Sequence, residues 1–145
     1  MSFAALADTF SASPSGPITA IPYAALLGVH YEIAGAEVTL SVPFERALVG
    51  QPSPPRLHGG AVAGMLELAA AAQVVLALKD ERPLPEIAPV NVTVDYLRAG
   101  QPERTFIAAR IVRLGRRIAN VNVEAWQADR DRPIAAAHTN LIIRR

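Results

Sequence analysis

Between Gly59 and Leu78 the chain runs for twenty residues with only two polar side chains, Glu67 and Gln73, and His58-Gly59-Gly60 stands at its head. A helix apolar on nearly every face needs cover on every side, because one that buries a single face shows a polar stripe on the other. The run is long enough to span a bilayer. It is rich in alanine, however, and holds Glu67 near its centre, where a charge costs about 2.5–3.5 kcal/mol on insertion scales. We therefore read it as a helix buried in a folded domain. A carboxylate kept in such a place costs several kcal/mol unless a partner or a task retains it.

The remainder reads mostly as strands. Ala36, Val38, Leu40, Val42 and Phe44 alternate with Glu37, Thr39, Ser41 and Pro43, the period of a half-buried strand. The same alternation sets Val90, Val92, Val94 and Tyr96 against Asn91, Thr93 and Asp95, and Ala119, Val121, Val123 and Ala125 against Asn120, Asn122 and Glu124. Less regular apolar runs at 104–114 and 133–143 are set off by turn residues. The last four strands are expected to form a meander after one early hairpin. A short helix is expected from Pro22, a favoured first helical position, to Gly28. Asp8 and the stretch from Ser11 to Pro17 suggest a frayed arm over residues 1–20, ahead of a single domain over 21–145. The fold class is α+β, an antiparallel sheet wrapped around one long central helix at about residues 59–79.

Composition excludes several functions. With 145 residues, 51% of them apolar, the chain can build one real core. The absence of cysteine removes disulfides, thiolate metal sites and a cysteine nucleophile, and is compatible with a cytoplasmic location. Fourteen basic and thirteen acidic residues leave no net field for nucleic acid, and no basic region precedes a long apolar stretch as in an export signal. His30, His138 and the acids show no metal-ligand spacing, and no phosphate-binding or dinucleotide glycine pattern occurs, so neither a metal nor a redox cofactor is expected.

Leu57-His58-Gly59-Gly60, Glu67 nine residues after the histidine, and Val92-Thr93-Val94-Asp95-Tyr96-Leu97-Arg98 on the next strand together resemble the hotdog-fold acyl-CoA thioesterases of the phenylacetate-degradation type. The resemblance spans roughly residues 20–143. It implies hydrolysis of an acyl-CoA thioester, with coenzyme A as part of the substrate and no further cofactor. Members of that family often carry an asparagine about six residues before the histidine; here that place is Pro52, flanked by Gln51 and Ser53.

Gly59 and Gly60 open the helix where unpaired N–H groups meet the positive end of the macrodipole, a setting suited to a developing oxyanion. A carboxylate in an apolar setting is a stronger base than one in water, and Glu67 would activate a water or attack the thioester itself. His58 would hydrogen-bond the thioester or only organise the turn. Gln51 and Ser53 could orient water or substrate, Met65 with Val62 and Leu66 could line an acyl pocket, and Arg116 and Arg117 could grip a CoA phosphate. Asp95 reads as a solvated strand residue or an ion-pair partner of Arg98, and Gln73 as a core or interface residue.

Gly59 and Glu67 lie eight residues apart, about 12 Å along a helix axis, so one helix hardly presents both to one carbonyl. Two protomers resolve this, Gly59 of one meeting Glu67 of the other across a symmetric interface, which the resemblance also implies. A homodimer is expected, and a dimer of dimers stays open. Two other readings remain: a hydratase or dehydratase using His58 with Glu67 on an enoyl or 3-hydroxyacyl thioester, and a binding module that holds acyl-CoA without turnover.

Overall fold

The apolar run forms helix α3 (Gly59–Leu78), and a seven-stranded antiparallel sheet curls around it. This computed structural model describes residues 3–145. The chain order is α1 (Phe3–Ala12), β1 (Ser15–Pro17), α2 (Pro22–Leu27), β2 (His30–Ala34), β3 (Glu37–Val42), the small hairpin β4 (Val49–Pro52) and β5 (Pro55–Leu57), then α3. After it come β6 (Glu86–Tyr96), β7 (Thr105–Leu114), β8 (Ile118–Trp126) and β9 (Ala135–Arg144). The sheet order is β1-β2-β3-β7-β8-β9-β6.

Helix α3 divides into two halves. From Leu68 to Leu76 every residue is buried, as expected of a helix with no polar face. Toward its start, Gly60, Ala63, Gly64 and Glu67 form a stripe that the sheet leaves partly open. Glu67 is therefore half-buried rather than enclosed, which corrects the expectation of cover on all sides. Among the described residues α3 alone is long and apolar enough to cross a bilayer, and 72% of its apolar window is buried inside the fold.

Gln73 is the polar exception in the enclosed half. Its side chain accepts the Val38 N–H at 3.1 Å and donates to the Ala36 carbonyl at 2.7 Å, where β3 has not yet paired with β7. It thus ties the hairpin β2–β3 to the helix, the core role expected for it. Replacing it leaves a backbone donor and acceptor without partners in a buried place. Gln73→Ala is expected to lose about 2–4 kcal/mol of unfolding free energy, read as a lower urea midpoint at constant slope. A loss below about 1 kcal/mol would mean that water replaces both bonds.

Two expectations need correction. The last four strands are not a simple meander: β7, β8 and β9 are, but β6 pairs with β9 at the far edge of the sheet. The connection from β6 to β7 crosses beneath the start of α3, where the Gly100 carbonyl accepts the Leu57 N–H at 3.0 Å and buried Gln127 bonds the backbone of Gln101 on both sides. Local alternation specifies a strand but not its neighbour. The segment read as a frayed arm contains helix α1, which buries Leu6, Ala7 and Phe10 against the fold, with Phe10 meeting Tyr31 edge to face at 4.8 Å. Its serine and threonine hydroxyls bond back to carbonyls one turn earlier, so their polarity does not break the helix.

Candidate active site

The chain enters α3 through His58, the N-cap, whose Nδ1 accepts the Gly60 N–H at 2.9 Å. The remaining ring proton of a neutral imidazole then sits on Nε2. The His58 N–H donates to the Leu48 carbonyl at 2.7 Å, and a Cβ at residue 50 would lie 2.9 Å from His58 Cα, so only glycine lets the β4 backbone come this close. Gly60 is spoken for by the cap, whereas the Gly59 N–H has no acceptor among the described residues. On its other side the Gly59 carbonyl accepts the Tyr96 hydroxyl at 2.8 Å. That bond ties Gly59 to the end of β6, and its unpaired N–H stands at the positive end of the helix.

Gly59 lies in a cleft of about 610 Å³ whose walls include Gln51, Arg56, Val62, Tyr96 and Arg98. Gln51 is thus beside Gly59, as expected, while Ser53 is exposed in the β4–β5 turn. Met65 and Leu66 are only 1% and 0% exposed and belong to the core, so of the expected acyl-lining set only Val62 reaches this cleft. Met65 turns inward because it is on the sheet side of α3. Nor does the structure bring Arg116 and Arg117 to Gly59. They lie with Arg113, Arg144 and Arg145 around a separate concavity of about 1130 Å³, beside the start of β6, whereas Tyr96 ends that strand. Ten residues of strand, roughly 30 Å, separate the two ends. Arg56 and Arg98 are the arginines next to Gly59.

Glu67 is not in the wall of the Gly59 cleft. It stands two turns along α3 on the open stripe, next to Tyr23 of α2, whose ring lies against Gly64. Burial, and after it the charge of Glu67, push the Tyr23 hydroxyl above the ordinary range of a phenol. Asp95 is exposed on β6, and Arg98 donates to the Pro133 carbonyl at 2.8 Å instead of pairing with it. Tyr23, Arg56 and Arg98 are residues that the sequence did not mark for the site. Only the glycine in mid-helix at 64 hinted that something large rests there.

The sequence from 50 to 141, more than half of the chain, matches the family model of the acyl-CoA thioesterase N-terminal domain. A Chromobacterium violaceum protein of solved structure is 33% identical over 97% of this chain and 94% of its own, with a TM-score of 0.69. A phenylacetic acid degradation-related protein from Ralstonia eutropha JMP134 is similar in fold, with 22% identity, a TM-score of 0.73 and coverage of 88% of this chain and 92% of that one. So is a Bacillus halodurans protein crystallised with CoA, at 16% identity and a TM-score of 0.75 over 88% of this chain and 82% of that one. No curated protein matches the sequence. Together with a seven-stranded sheet wrapped around one long helix, these matches place the chain in the acyl-CoA thioesterase family with the hotdog fold.

Proposed function

We propose that the protein is a cytoplasmic hydrolase that cleaves an acyl-CoA thioester to the free acid and coenzyme A, at two equivalent sites of a homodimer. The observation that carries this reading is the unpaired N–H of Gly59 at the start of a helix whose open stripe presents one carboxylate, Glu67. The Gly59 N–H of one subunit polarises the acyl carbonyl. Glu67 of the other takes a proton from water as the water oxygen bonds to the acyl carbon, or attacks to form a mixed anhydride that water then opens. On either route the C–S bond breaks and the thiolate of CoA recovers a proton.

Two features support the second subunit. The cleft that holds Gly59 does not have Glu67 in its wall. Strand β6 is also an unpaired sheet edge, with Val90 and Tyr96, and Leu97 just after it, all more than half exposed. Long edges of this kind are covered in stable proteins, and a two-fold axis beside β6 would cover it with a second copy. The Arg116–Arg117 turn would then belong to the outer surface or to the partner's half of the CoA path. His58 fits a hydrolase better than a hydratase: with Nδ1 taken by Gly60 it keeps a donor at Nε2 but no free lone pair to act as a base.

Hydrolysis of an acyl-CoA panel from acetyl to palmitoyl, with benzoyl and phenylacetyl, tests the reading. Turnover of at least one member is the expected result. Binding by calorimetry with no turnover would favour a non-catalytic acyl-CoA module, with Pro52 in place of the asparagine as the reason.

A further inference from the structure

Gly64 stands inside α3, where alanine is the better helix former, and the Tyr23 side chain explains it. A Cβ at residue 64 would lie 2.9 Å from Tyr23 Cζ and 3.1 Å from Cε1, and closer still to the hydroxyl. The phenol is thus seated directly on the helix. Tyr23 is 37% exposed, and its hydroxyl has no hydrogen-bond partner among the described residues. Glu67 is one turn further along the same face, about 5–6 Å away between Cβ positions. Helical side chains lean toward the N-terminus, which brings the carboxylate back toward that hydroxyl.

We propose that the Tyr23 hydroxyl and the Glu67 carboxylate together hold the attacking water, each accepting one of its protons as a hydrogen bond. The inference rests on the reading of Glu67 as the base. In the step itself, the water O–H bond breaks toward Glu67, the oxygen bonds to the acyl carbon, and the C–S pair leaves on sulfur. Glu67 then returns the proton to the thiolate. Tyr23 neither gains nor loses a proton: a phenol held above its ordinary range is a weaker acid than a thiol and does not protonate the leaving group. Its contribution is to fix the direction of the water lone pair, which is the service a polar residue at Pro52 would otherwise give.

The test is steady-state kinetics on the best acyl-CoA of the panel. Tyr23→Phe keeps the ring on Gly64 and is expected to lower kcat about tenfold, with KM within about twofold and the melting temperature unchanged. Gly64→Ala forces the phenol off the helix and is expected to cost a similar factor, with no added loss in the Y23F/G64A double variant. Glu67→Gln is run beside them. If it abolishes turnover while Tyr23→Phe keeps wild-type kcat, the Tyr23 inference is overturned and the role of Glu67 stands. If Glu67→Gln retains turnover, the reading of the base fails and this inference with it. A wild type that turns over no member of the panel overturns both.

Discussion

Glu67→Gln is expected to lower kcat by about a thousandfold, within the range of about 10²–10⁴ that a positioned general base contributes. Glutamine keeps the shape and the hydrogen-bonding reach of the side chain but neither accepts a proton nor attacks a carbonyl. Because Glu67 lies on the partly open stripe of α3 and forms no ion pair among the described residues, the change leaves no buried charge behind. The melting temperature is therefore expected to stay within a few degrees of wild type. Acyl-CoA binding, followed by calorimetry, is expected to persist with a dissociation constant changed by less than about threefold, since the carboxylate acts on the reacting atoms and not on the CoA portion. Retention of more than about a tenth of wild-type kcat would remove Glu67 from the chemistry. Loss of binding together with turnover would make it a substrate-holding residue instead.

The central helix was legible because twenty apolar residues with one acid have few other homes, and the strands β3 and β8 because their period of two is unbroken. Helix α1 was hidden by Asp8, Thr9 and Ser11, whose polarity looks like a linker until Leu6 and Phe10 are seen four residues apart on one face. The place of β6 was not legible at all. Pairing with β9 rather than β7 depends on a connection that must cross under α3, and nothing in the alternation of β6 encodes that. Val90, expected on the inner face, is 58% exposed because the register of β6 against β9 shifts between Pro89 and Asn91. The same limit governs the site. His58, Gly59, Gly60 and Glu67 are close in sequence and could be read as a unit. Tyr23, Arg56 and the pair Tyr96 and Arg98 come from three separate segments and meet α3 or its cleft only through the fold.

Gly59→Pro gives the most selective probe of the oxyanion donor. Residue 59 is the first of α3, a position where proline is favoured because its missing N–H would have no helical partner. His58 before it has φ −65 and ψ 130, the extended conformation that a following proline requires. The substitution therefore removes one N–H with little demand on the backbone; the added Cβ meets the Tyr96 ring at 3.3 Å, which that half-exposed side chain relieves by a small shift. Loss of a single oxyanion donor is expected to lower kcat by about 10²–10³. The pair of variants then decides how the site is shared. When the E67Q and G59P proteins are unfolded, mixed in equal amounts and refolded, half of the dimers are expected to be mixed. In each of those, one site carries both substitutions and the other neither, so about a quarter of wild-type turnover returns from two nearly inactive parents. If Gly59 and Glu67 serve the same carbonyl from one chain, every site in the mixture stays defective and nothing is recovered. A site divided between subunits is the arrangement that restores activity, because each damaged chain then lends its intact half to the other.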